Sequence, residues 1–125
     1  MLPGQIGWID LTVPDASALR DFYSSAAGWT PSPVPMGDYQ DFSMHPPGQE
    51  QPVAGICRAT GANAGLPAVW LISITVADLE AALQTCLAGG GKSLRLAEAM
   101  GAMGRYGVIQ DPAGAACARF EPARP

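Results

Sequence analysis

LTVPDASALRDFYSSAAG, residues Leu11 to Gly28, lies over ITVADLEAALQTCLAGGG, residues Ile74 to Gly91, at a constant offset of 63 positions. Thr12, Val13, Asp15, Ala18 and Gly28 fall on Thr75, Val76, Asp78, Ala81 and Gly91. Self-similarity at a fixed spacing marks a repeated structural unit. The likeness continues downstream, where YQDFSMHPPG (Tyr39 to Gly48) parallels YGVIQDPAG (Tyr106 to Gly114). Both run from an apolar strand pattern into a turn carrying Pro and Gly. The chain therefore reads as a tandem duplication inside one domain, residues 1–125.

Each copy opens with strict alternation. Ile9, Leu11 and Val13 share one side of a strand and Trp8, Asp10 and Thr12 the other; Ile72, Ile74 and Val76 oppose Leu71, Ser73 and Thr75 in the same way. Asp15 and Asp78 stand where a helix N-cap belongs, since a short carboxylate accepts from a free N–H of the first turn. Leu19, Phe22, Tyr23 and Ala26 then recur at helical spacing, as do Leu79, Ala82, Leu83, Cys86 and Leu87. Gly28 and the run Gly89-Gly90-Gly91 supply the stops. Extended segments follow at roughly 30–35, 39–44 and 53–59 in the first copy, and 92–98, 105–110 and 115–121 in the second. Each unit reads β-α-β-β-β, the first over 5–59 and the second over 68–122, with 60–67 (TGANAGLP) as a surface linker. The fold class is α+β. The helices are expected to cover the Ile9/Leu11/Val13 and Ile72/Ile74/Val76 sides. That leaves Trp8, Asp10, Thr12, Leu71, Ser73 and Thr75, a mixture of apolar and placed polar groups that suits a ligand pocket.

Composition excludes several classes. Lys and Arg number 7 against 11 Asp and Glu, with no basic run, so no surface tracks the phosphates of a nucleic acid. The apolar stretch Leu66 to Ala77 is broken by Pro67, Ser73 and Thr75 and falls short of the ~20 residues a bilayer span needs. MLPGQIGWIDL lacks the charge pattern of a signal peptide, and a cytoplasmic location is the expectation. Cys57, Cys86 and Cys117 show no CxxC spacing and read as buried thiols. Charged residues make up only 14% of the chain against about 25% in ordinary soluble domains, which points to large packed surfaces.

WIDLTVPDASALRDFYSSAAGW followed by GRYGVIQDPAGAACARFEP, inside a duplicated βαβββ arrangement, resembles the vicinal oxygen chelate superfamily of glyoxalases, bleomycin-resistance proteins and extradiol dioxygenases. The resemblance spans Ile6 to Pro122 and is specific to the fold rather than to a reaction. It implies two modules curled into a cup-shaped mixed sheet with helices outside and ligand in the concavity, in a homodimer. Metal-dependent members carry a His seven residues before each helix-capping Asp and a Glu four residues after the Gly of the late turn. Here those positions hold Trp8, Leu71 and Ala118, and the first-module counterpart of Ala118 lies near Gly55. None of these side chains offers the imidazole or carboxylate lone pairs that Zn, Ni or Fe requires. No cofactor is expected.

The remaining candidates carry ordinary alternatives. Asp10 shares its strand face with Trp8 and is the one catalytic candidate, as a general base or as a group orienting a ligand amine. An acid bonded to Ser73 or Thr75 is the competing reading. Asp41 lies on a strand face with Tyr39 and Ser43. Arg105, after a Gly-Ala-Met-Gly stretch, is a candidate clamp for a ligand carboxylate, although surface arginines are common. Met36, Met44, Met100 and Met103 would form an adaptable apolar wall or plain core. His45 reads as a turn residue in HPPG. The expected ligand-binding set is Trp8, Asp10, Thr12, Asp41, Leu71, Ser73, Arg105 and Ala118. The expected function is metal-independent binding of a small, partly apolar organic molecule. The alternative is a lyase, isomerase or dioxygenase holding a metal through displaced ligands such as Asp10, Asp41, His45 or a cysteine.

Overall fold

The structure, a computed structural model, describes residues 2–99 and 103–123. The chain divides into two compact units, Ile9–Trp70 and a second made of the segment before Ile9 with the chain from Leu71 onward. Strand β1 (Ile6–Val13) begins in the second unit and ends in the first.

In the first unit β1 leads to α1 (Ala16–Ala26), β2 (Thr30–Pro35), β3 (Gln40–His45) and β4 (Ala54–Arg58). The strand order is β2-β3-β4-β1, with β1 parallel to β4 and the other neighbours antiparallel. Asp15 caps α1 by accepting from Ala18 N–H at 3.0 Å, and Gly28, with φ of 72°, takes the left-handed turn beyond the helix. Leu11, Val13, Ala16, Phe42, Met44 and Ile56 form a buried cluster against which Leu19, Tyr23, Trp29 and Trp70 pack. Phe22 departs from expectation. It is 58% exposed and meets Tyr23 edge-on, because the face that α1 turns to the sheet is centred on Leu19 and Tyr23. The aromatic cluster closes where Trp70 Nε1–H donates to the Tyr23 hydroxyl at 3.2 Å. β2 ends this sheet, and Pro31, Pro33 and Pro35 remove donors along it.

The expected surface linker holds a 3-10 turn (Gly61–Asn63) and anchors itself by burying Leu66. β5 (Trp70–Thr75) starts at the last residue of the first unit and leads into the second, where it is followed by α2 (Leu79–Ala88), β6 (Lys92–Ala99), β7 (Gly104–Gln110) and β8 (Ala116–Pro122). Its order is β5-β8-β7-β6, again with the first strand parallel to the last. Asp78 caps α2 through Ala81 N–H at 3.1 Å, and Glu121 adds a second carboxylate by accepting from Leu79 N–H at 2.9 Å.

The duplication holds at the level of register. Asp10 pairs with Gly55 as Ser73 pairs with Ala118, and Thr12 pairs with Cys57 as Thr75 pairs with Phe120, each residue displaced by the same 63 positions. Ser43 opposes Gly55 as Val108 opposes Ala118. Met100 and the Gly101-Ala102 part of the expected loop lie outside the described residues; Met44 is core, while Met36 and Met103 are exposed. In the second unit the side expected to be the greasier is the less buried. Ile72, Ile74 and Val76 are half-buried, whereas Leu71, Ser73 and Thr75 are 1%, 5% and 2% exposed. The cause is what lies under α2, where small residues replace the bulky ones of the first unit. Leu87 likewise stays exposed.

Candidate functional site

The faces turned away from the helices are set by alternation and pairing. In the first unit Leu11, Phe42, Met44 and Ile56 belong to the core beneath α1, so Asp10, Thr12, Asp41, Ser43, Gly55 and Cys57 lie on the opposite face. Strand pairing lays Ser32, Ser43, Gly55 and Asp10 in a row across that face. Asp41, Cys57 and Thr12 form the row on one flank, and Thr30 with His45 stand on the other. Thr12 is buried, while Asp10, Asp41, Ser43 and His45 are half-buried. Asp41 Oδ1 accepts from Arg58 N–H at 2.9 Å, which ties the acid to the end of β4.

His45 corrects the sequence-based reading. It is the last residue of β3, not a turn residue, and its Nε2 lies 2.8 Å from Ser32 Oγ. Its Nδ1 is buried with no hydrogen-bond partner among the described residues. The signal was present in the alternation of Asp41, Ser43 and His45. The partner was not, because Ser32 reaches His45 only through the β2–β3 pairing.

In the second unit the equivalent row is Arg95, Val108, Ala118 and Ser73, flanked by Tyr106, Phe120 and Thr75. Arg95 lies over the Tyr106 ring at 5.0 Å from its centroid. Leu71, Ser73 and Ala118 are all buried, and Trp8, which belongs to this unit, is half-buried. Arg105 does not join this set. Its Nη2 is 3.0 Å from Glu80 Oε1 of α2, and its strand partner is Glu121, the residue that caps α2, so it stands on the helix side.

Gly55 and Ala118 are confirmed as counterparts by pairing with Asp10 and Ser73. The four positions that the resemblance assigns to metal ligands are thus Trp8, Gly55, Leu71 and Ala118, which supply no donor atoms. Among the described residues no three His, Cys, Asp or Glu side chains gather as a metal would require. The donor set does not fit the superfamily's metal centre.

Residues 5–117 match the Glyoxalase/Bleomycin resistance protein/Dioxygenase superfamily, and the chain belongs to it. It is 36% identical over 115 residues to the candidate glyoxylase CFP32 of Mycobacterium tuberculosis, covering 90% of this chain and 44% of that protein. It is 30% identical over 131 residues to the anthracycline biosynthesis protein DnrV of Streptomyces peucetius, covering 93% of this chain and 46% of that one. The chain therefore spans less than half the length of either relative. The methylmalonyl-CoA epimerase of Mycobacterium tuberculosis shares the fold, with a TM-score of 0.58 at 19% identity over 99% of this chain and 94% of the other. No helix among the described residues is long and apolar enough to cross a membrane.

Proposed function

We propose that this chain binds a small, partly apolar organic molecule on the sheet faces turned away from α1 and α2, without a metal. The observation that carries this is the row Ser32, Ser43, Gly55 and Asp10 with His45 beside it. Hydroxyls, a carboxylate and an imidazole are gathered there around a glycine, and the buried Nδ1 of His45 is left to a ligand group or water. Asp10 and Asp41 on one face favour a ligand that carries an amine or hydroxyl donors. Thr12 belongs to the same face. The second unit's own face, with Trp8, Leu71 and Ala118 beside the Ser73 hydroxyl, carries a similar mixture of apolar and polar groups, the lining that suits organic ligands.

Titration of the full chain with a panel of aromatic amines and alcohols, followed by Trp fluorescence, tests the proposal. Saturable quenching is expected, and Asp10→Asn and His45→Ala should each weaken it by about tenfold. Flat titrations throughout the panel would overturn it. Protein purified without chelator is expected to carry only traces of transition metal. A full equivalent of zinc, nickel or iron would instead favour the lyase, isomerase or dioxygenase alternative, because such sites hold their metals tightly. A cytoplasmic homodimer is part of the proposal. Strand pairing between copies would use β6, since the prolines of β2 block that edge. A single-chain mass by light scattering would overturn that element.

A further inference from the structure

Between α2 and its sheet lies an open cleft of about 450 Å³, lined by Ala82, Cys86, Gly89, Ile109, Pro112 and Arg119. Its origin is legible residue by residue. The structural counterparts of Leu19, Tyr23, Phe42, Met44 and Ile56 in the first unit are Ala82, Cys86, Gly107, Ile109 and Arg119 in the second. Four of the five substitutions shorten the side chain, and the fifth places a guanidinium where the first unit has a fully buried isoleucine. Arg119 is only 7% exposed, and its buried Nε has no hydrogen-bond partner among the described residues. Burying an arginine head is costly unless acceptors meet it.

We infer that this cleft is a second ligand site, distinct from the faces described above, and that it takes a small monocarboxylate with an apolar body. The planar guanidinium fork matches a carboxylate through paired N–H donors. Ala82, Ile109 and Pro112 offer the rest of the ligand an apolar wall that stays open to solvent on its outer side. Two features limit the ligand to a single negative charge. Asp111 also lines the cleft, with Oδ1 accepting from Ala113 and Ala115 N–H at 2.9 and 3.0 Å, so one negative charge already stands at its rim. The Thr85 hydroxyl is committed to Ala81 O at 3.2 Å and adds no free donor for a phosphate. Cys86 places a thiol in the wall, which makes occupancy readable at that atom.

The test uses the full chain with benzoate, phenylacetate and octanoate as probes, and benzamide and inorganic phosphate as controls. Calorimetry gives affinity, and mass spectrometry gives the rate of maleimide addition at Cys86. At least one carboxylate should bind saturably and slow Cys86 modification, while benzamide and phosphate should do neither. Arg119→Met should fold and weaken carboxylate binding by about tenfold or more. Should that variant fail to fold, Ala82→Leu fills the cleft as Leu19 does in the first unit, and it should abolish protection of Cys86. Equal binding of benzamide, unchanged affinity in Arg119→Met, or no binding by any carboxylate would each overturn the inference.

Discussion

The two units share strand order, the register of their first and last strands and the helix caps, yet they treat the space under the helix in opposite ways. The first fills it with Leu19, Tyr23, Phe42, Met44 and Ile56, and backs them with Trp29 and Trp70, whose rings meet at 5.8 Å. The second leaves Ala82, Cys86, Gly107 and Ile109 around a buried arginine. A duplicated scaffold therefore packs its two copies differently. One helix–sheet interface is filled with apolar side chains, and the other buries a guanidinium among short ones.

That contrast is broken most directly by removing buried volume from each copy. Ile56→Ala should destabilise the protein by about 2–5 kcal/mol, since Ile56 is fully buried and the cavity would sit inside the densest cluster. Arg119→Ile, which writes the first unit's residue into the second, should be neutral or stabilising, because replacing a buried guanidinium whose Nε has no partner among the described residues by an apolar group relieves its desolvation. Denaturant unfolding measures both, and an equal loss in the two variants would show that the units are packed alike.

The caps sharpen the comparison at a smaller scale. Asp15→Ala should cost about 1 kcal/mol. Asp78→Ala should cost less, because Glu121 already accepts from Leu79 N–H at the same helix end. Thermal melts of the two variants side by side decide whether the second carboxylate compensates.

Titration of Cys117 gives a still smaller and pH-dependent effect. Burial pushes its thiol above the ordinary range, although Arg119 pulls the other way. The unfolded chain then loses this proton at lower pH than the folded one, so stability is full at neutral pH. It falls as pH rises past about 8.5, where a free thiol begins to ionise. The slope of melting temperature against pH in that range should flatten in Cys117→Ala. An unchanged slope would assign the alkaline loss elsewhere. The weakest expected effect is that of Glu80→Gln, about half a kcal/mol or less, because the Arg105–Glu80 pair is solvent-screened and Glu80 is 74% exposed.

Much of this architecture was legible along the chain. The extended segment expected over 30–35 is the strand Thr30–Pro35, and the capping aspartates accept from the residue three positions on. The sequence set the counterpart of Ala118 near Gly55, and strand pairing fixes it there. Arg119 was legible in principle as well, since the offset of 63 sets it against Ile56, and a charge in place of a core aliphatic residue is a signal by itself. His45 was misread, and Arg105 left open between clamp and surface residue, for a different reason. The role of each is decided by a contact, Ser32 in one case and Glu80 in the other, made by residues far away in the chain.

What the amino-acid order determined alone is whatever depends on neighbours a few residues apart: the periodicities, the caps, the turns and the existence of two copies. Tertiary structure decided which side of the second sheet is the better buried, that Asp41 joins Asp10 and His45 on one face, and that shortened side chains beneath α2 add up to a cleft around Arg119. Burial and void volume are sums over residues brought together from distant parts of the chain, and no local pattern contains that sum.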